Sequence, residues 1–100
     1  MKEVPYLQFG FYSSFADPPS FVSKPTNETV IEGDLAIFFC DATGNPTPKI
    51  TWIKDGETVG EGVTLNLEAY RNQSGEYWCL AENELNEPVN TSVYLDVQCK

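Results

Sequence analysis

Three cysteines, Cys40, Cys79 and Cys99, are the only strongly nucleophilic or soft-ligand side chains in this sequence. It contains no histidine, which removes Ser-His and Cys-His nucleophile pairs and the commonest zinc ligand. Two carboxylate pairs lie close in sequence, Glu82 with Glu84 and Asp55 with Glu57. Both fall in turn-like stretches, where solvated acidic residues are the ordinary expectation and a general acid–base pair is not. No Gly-rich phosphate loop and no calcium-loop pattern is present. The chemistry that remains is that of a sugar acceptor. Asn27-Glu28-Thr29, Asn72-Gln73-Ser74 and Asn90-Thr91-Ser92 each match the N-glycosylation sequon, whereas proline excludes Asn45-Pro46-Thr47. The reading is a chain with no catalytic residue, no metal site and no cofactor, and with Asn27, Asn72 and Asn90 as candidate glycosylation sites.

Bulk properties narrow the class further. The chain has 100 residues, enough for one small domain. Its formal charge is −9, with six Lys or Arg against fifteen Asp or Glu. Nucleic-acid binding needs a basic stripe to displace phosphate counterions, and anionic membrane surfaces need the same. A partner with a basic patch fits the charge better. No stretch approaches the roughly 20 apolar residues of a membrane span, so direct membrane insertion is not expected. Residues 1–18 form a leader with Tyr6, Phe9, Phe11, Tyr12 and Phe15, ending in the small residues Ser14 and Ala16. That run fits a weak signal-like segment, a flexible leader or the trailing end of an upstream domain.

The rest alternates with period two. Phe21 to Lys24 reads as a first strand broken by Pro25, which cannot donate in a ladder, and Val30 and Ile31 can resume it. Glu32-Gly33-Asp34 is a turn. Leu35 to Asp41 places Ala36, Phe38 and Cys40 on one face. A polar, Pro-rich loop then leads to Ile50–Lys54, and Asp55-Gly56 is a hairpin signal that allows a short strand over Glu57–Val59. Val63, Leu65 and Leu67 alternate inward, as do Val93, Leu95 and Val97 near the end. Gly75 to Glu82 is the strand between them. Seven or eight short strands with regular turns, and no helical period, define an all-β antiparallel sandwich.

Cys40, Trp52, Tyr77 and Cys79 add a specific spacing, and the flanking segments Gly44–Gly56 and Gln73–Asn83 complete it. Together they resemble an immunoglobulin domain of the I-set or short constant-like type, as in cell-adhesion molecules and receptor ectodomains, over residues 19–98. The resemblance implies one inter-sheet disulfide, Cys40–Cys79, and a first strand that switches to the opposite sheet at Pro25. It also implies an indole, Trp52, packed on that bridge and a Tyr77 hydroxyl tied to the backbone before its strand. Phe38, Leu65, Leu67 and Leu95 complete the expected core. Oxidised cysteines place such a domain in an oxidising compartment; two reduced thiols in an intracellular structural module are the alternative. Two departures are visible. The stretch between Trp52 and Val63 is too short for both a C′ strand and a full strand D. Gln73 also replaces the Asp that, in the family, pairs with an Arg at the start of strand D.

With Trp52 and Cys79 inward, alternation sends Ile53, Trp78 and Leu80 outward on one sheet, and Tyr94 with them. Such an apolar cluster is a candidate protein-binding face, and the resemblance makes an immunoglobulin-family ectodomain one candidate partner. Ile37 and Phe39, flanked by Thr64, Asn66 and Glu68, form a smaller second patch on the other sheet. Cys99, within the boundary residues 99–100 before a following segment, is a free or intermolecular thiol. The expected function is a non-enzymatic extracellular binding and spacing module. Its rivals are a receptor kinase or phosphatase ectodomain with catalysis elsewhere, and the intracellular structural module.

Overall fold

The structure, a computed structural model, describes residues 16–100; residues 1–15 of the leader expected over 1–18 lie outside the described residues. Nine strand segments follow in order: β1 (Asp17–Ser23), β2 (Glu28–Ile31), β3 (Leu35–Phe39), β4 (Asp41–Asn45), β5 (Lys49–Lys54), β6 (Glu57–Glu61), β7 (Thr64–Glu68), β8 (Gly75–Glu82) and β9 (Val89–Gln98). One turn of 3-10 helix, Arg71–Gln73, links β7 to β8. Only Cys40 interrupts β3 and β4, so they are a single run that joins the pairs β1–β4 and β3–β7 into one layer. The second layer has five strands in the order β2-β9-β8-β5-β6. The all-β sandwich expected from the pattern, and the immunoglobulin fold that the resemblance implies, are what is observed.

Period-two burial explains why these segments are strands. In β3, Ala36 and Phe38 are buried while Leu35, Ile37 and Phe39 are exposed; in β8, Tyr77, Cys79 and Ala81 are buried. The two inward faces meet at the Cys40–Cys79 disulfide, with Cα atoms 6.6 Å apart. Trp52, Tyr77, Phe38 and Leu95 are fully buried around it, Leu65 is buried, and Leu67 is half-buried against the same core. Cross-linking residues 39 apart in sequence stabilises by roughly 4 kcal/mol in the chain-entropy model. Small domains have on the order of 5–15 kcal/mol in total.

The chain changes layers at Pro25, as the sequence suggests, but the resumed strand pairs differently from the rest. β2 runs parallel to β9, from Glu28 opposite Leu95 to Ile31 opposite Gln98. The reason is directional. β1 is antiparallel to β4 in the first layer, and a chain that crosses without reversing meets β9 running the same way.

Four local expectations are corrected. The run after Cys40 is not a polar loop until Pro46: β4 continues to Asn45 because β1 pairs with it, Asp17 opposite Asn45. For the same reason the first strand starts at Asp17, inside the segment expected to be leader. The β6 hairpin strand extends to Glu61, closed by Asp55 and Gly56 at φ 54° and 81°, both left-handed as a tight two-residue turn requires. Val63 does not point inward; it is 39% exposed. It is a crossing residue between layers: the Gly62 N–H donates to the Ile50 carbonyl (2.9 Å) and the Val63 carbonyl accepts the Cys40 N–H (2.8 Å).

That two-residue crossing replaces strand D, so β6 leads directly into β7. The layers come so close there that a Cβ on Gly60 would lie 2.7 Å from Leu65 Cδ1. Leu65 is buried and has little room to yield. Gly60→Ala is therefore expected to destabilise by roughly 1–3 kcal/mol, the usual range for overpacking. A lowered urea midpoint with an unchanged slope is the expected readout; an unchanged midpoint would refute the close-packing account.

Candidate functional site

The outward face of the five-stranded sheet is set by register. One row across it reads Thr58, Ile53, Trp78, Ser92; the next reads Glu61, Thr51, Leu80, Asn90. Tyr94 lies opposite Glu76, one pair further along. Directly opposed side chains on one face have Cβ atoms about 5 Å apart, and diagonal neighbours about 7–8 Å. The four residues singled out from alternation are therefore brought together: Ile53 beside Trp78, Leu80 two residues along β8, and Tyr94 diagonal to Trp78 on β9. Trp78 is 39% and Tyr94 51% exposed, while Ile53 and Leu80 are half-buried. The large indole between neighbouring strands explains that difference.

Acidic groups rim the cluster. Lys49 Nζ lies 3.6 Å from Glu61 Oε2, whereas Glu76 and Glu82 have no ion-pair partner among the described residues. The arrangement is an apolar centre with a net negative border. On the opposite layer, Ile37 and Phe39 are joined by Leu35 in a single file along β3, flanked by Thr64, Asn66 and Glu68 on β7. Leu35 was not part of the expected patch, and this file is narrower than the Trp78 cluster because its neighbours on β7 are polar.

Buried polar contacts hold the first face rigid from beneath. The Trp52 indole N–H donates to the Gly62 carbonyl at 2.8 Å, and the Tyr77 hydroxyl donates to the Gln73 carbonyl at 2.7 Å. Gln73 also caps the 3-10 turn, its Oε1 accepting the Tyr70 N–H at 3.1 Å. Gln73, where the family has Asp, makes this local bond in place of an ion pair, and Arg71 lies 3.6 Å from Glu32 at the surface. Ser74 Oγ accepts the Val97 N–H at 2.9 Å. Asn83 has the largest role that sequence reasoning missed. It is buried, its Oδ1 accepts the N–H groups of Leu85 and Asn86, and its Nδ2 donates to the Asp17 carbonyl at 2.9 Å. One side chain shapes the β8–β9 loop and fastens it to β1. Asn83 at the start of the turn Asn83–Pro88 was the available signal, since an Asn opening a turn bonds its own backbone two residues on.

The candidate sugar acceptors occupy three different settings. Asn72 is exposed in the 3-10 turn. Asn27 precedes β2, and its Oδ1 accepts the Tyr94 N–H at 2.9 Å, extending the β2–β9 ladder by one rung. Asn90 is exposed on the face that carries Trp78, opposite Leu80. Cys99 is exposed and free. Among the described residues no cluster of His, Cys, Asp and Glu has metal-site geometry, and no helix is long and apolar enough to cross a membrane.

Two phenols have perturbed titration. A hydrogen bond to Glu68 and that residue's negative charge raise the Tyr70 pKa. Burial, aided by the charge of Asp55, raises that of Tyr77. Lys54 Nζ sits 5.6 Å from the Tyr77 ring centroid and 3.0 Å from Asp55, bridging the two.

An immunoglobulin sandwich with its disulfide, core tryptophan and tyrosine–backbone bond is the class that this fold defines. A family model described as "Immunoglobulin domain" matches residues 18–83, more than half the chain, and the chain belongs to that family. Receptor-type tyrosine-protein phosphatase F of Danio rerio is 40% identical over 86% of this chain, which spans 5% of that protein. Myelin-associated glycoprotein of Rattus norvegicus is 38% identical over 91% of the chain, which spans 16% of it. Among solved structures, the complex of Dpr11 IG1 bound to DIP-gamma IG+IG2 aligns with a TM-score of 0.73 at 32% identity, covering 83% of this chain and 49% of that one. The chain is thus a non-catalytic immunoglobulin module homologous to the ectodomains of receptor-type phosphatases and adhesion molecules. The disulfide fits the same extracellular location.

A pH dependence follows from Tyr77. Its folded pKa is raised above the unfolded value near 10, so the folded state holds its proton more tightly. The stability it contributes is fully present below pH ~10 and is lost as pH rises through the folded pKa. Tyr77→Phe should lower stability near neutrality by about 1 kcal/mol, through the lost hydrogen bond. It should also flatten the alkaline fall in urea midpoint; the same alkaline slope in both proteins would contradict the assignment.

Proposed function

We propose that this chain is a binding and spacing module of a cell-surface recognition protein, working by protein–protein contact through the face centred on Trp78. The observation that carries the reading is the contiguous set Ile53, Trp78, Leu80 and Tyr94 across three strands of a rigid sheet. An exposed aromatic among half-buried aliphatics, inside a polar rim, has the composition of an interface centre. The acidic rim and the formal charge of −9 favour a partner with basic groups around an apolar patch. An immunoglobulin-family ectodomain fits as that partner, and the solved complex of two immunoglobulin proteins with this fold supports the choice. Residues 19–98, with β1 entering from Asp17, form the module. Cys99 is available to a following segment or a second chain.

The likeness to receptor-type phosphatases supports a more specific form of the reading, in which the whole protein is such a receptor and its catalysis lies outside this module. The intracellular structural module predicts reduced Cys40 and Cys79 and unmodified sequons. Intact mass of protein secreted from eukaryotic cells, before and after reduction, separates them. A gain of two hydrogens at Cys40 and Cys79, with glycan mass on Asn27, Asn72 or Asn90, is the expected result.

Binding to a panel of receptor-phosphatase and adhesion ectodomains, a second copy of this chain included, tests the face. Trp78→Arg is expected to weaken the productive pair by about tenfold or more, equivalent to ~1.4 kcal/mol, without lowering Tm by more than a few degrees. Unchanged affinity in that variant would sink the proposed face.

A further inference from the structure

We infer that an N-linked glycan on Asn90 lies over Trp78 and Leu80 and thereby decides whether the five-stranded face is open to a protein partner. The inference rests on the extracellular reading above, because the modification belongs to the secretory pathway. The Asn90 side-chain nitrogen would displace pyrophosphate from a lipid-pyrophosphate-linked oligosaccharide. A C1–N bond forms, the C1–O bond to pyrophosphate breaks, and one amide proton is released with the lipid pyrophosphate.

Register places that nitrogen on the face. Val89 packs against the core and Val93 is buried, so alternation along β9 turns Asn90, Ser92 and Tyr94 outward. Asn90 is opposite Leu80, and Ser92, the third residue of its sequon, is opposite Trp78. Asn90 and Trp78 are therefore diagonal neighbours, about 7–8 Å apart. The other acceptors differ: Asn72 sits in the 3-10 turn before β8, and Asn27 lies at the β2 edge with its oxygen already engaged.

Chemistry then favours contact. A pyranose ring has a face of C–H bonds, which pack on the negative face of an indole. Trp78 is open to receive it at 39% exposure, and its opposed neighbours Ile53 and Ser92 limit the ring's freedom. The sugar withdraws the apolar centre from water, as a protein partner would. A standard interface covers about 800 Å² on each side, so one centred on Trp78 cannot form around a glycan rooted at its diagonal neighbour. The two occupants exclude one another.

The chain itself supplies the reporter. It has two tryptophans, and Trp52 is fully buried, so acrylamide quenching of the exposed component reads Trp78. The wild-type chain and the variants Asn90→Gln and Asn72→Gln are secreted from eukaryotic cells, and their sequons are mapped by peptide mass. The wild type is measured again after enzymatic trimming to the first sugar, which leaves the polypeptide unaltered should Asn90→Gln fail to fold. Wild type and Asn72→Gln should quench alike, and Asn90→Gln should quench at least about twofold more strongly. Trimming should move the wild type toward that higher value. Equal quenching with and without the Asn90 glycan would overturn the inference, as would a bare Asn90 beside glycosylated Asn27 or Asn72. That last outcome leaves the extracellular reading intact, whereas free thiols with no glycan anywhere remove both.

Discussion

Everything in this domain is arranged about the covalent bond between its two sheets. Cys40 sits in the single residue between β3 and β4, and Cys79 lies in the middle of β8. Packing follows from that anchor. The Phe38 ring is 6.2 Å from that of Trp52 and 5.8 Å from that of Tyr77, so three aromatics surround the bridge from both layers. A domain of this size buries a modest share of its surface, and the cross-link limits the unfolded chain where the core alone would leave little margin. The polar ends of the two large aromatics must still be satisfied when buried. The Gly62 and Gln73 carbonyls do so, and both belong to connections, so the core also determines where those connections run.

The missing strand D has consequences beyond a shorter chain. Without it the first layer ends at β7, and the chain crosses from Gly62 to Val63 with one backbone hydrogen bond to each layer. Position 60 as a result has no room for a Cβ beside Leu65 Cδ1. Exposed sheet edges invite pairing with other chains, and the edges here are guarded in simple ways. β6 carries Glu57 and Glu61, β7 is short and ends at Glu68, and β1 opens with Pro18 and Pro19. The negative charge of the whole chain works in the same direction.

These constraints hold the face around Trp78 on a sheet fixed from within the domain. Its rigidity comes from beneath, through Trp52, Tyr77 and Cys79 on the opposite parity of β5 and β8. Its chemistry comes from above, through Ile53, Trp78, Leu80 and Tyr94. The same alternation that exposes Tyr94 and Ser92 also exposes Asn90, so the apolar cluster and a sequon asparagine share one sheet.

Much of this was legible in the linear chain. Alternation of apolar residues located β3, β5, β8 and β9, and the outward parity of Trp78 and Tyr94, because side-chain direction in a strand is a local property with period two. Asp55-Gly56 announced its hairpin for an equally local reason, the left-handed backbone that the turn requires. The spacing of Cys40, Trp52, Tyr77 and Cys79 identified the family. What the sequence could not provide is every feature that depends on residues far apart meeting in space. The extension of β4 to Asn45 needs β1 as a partner, and the outward turn of Val63 needs a two-residue crossing. The hold of Asn83 on Asp17 spans 66 positions. Asn90 and Trp78 are neighbours only through the register of β8 on β9. Local periodicity sets which way a side chain points; the residue it stands beside is decided by pairing between strands, and only the tertiary structure contains that.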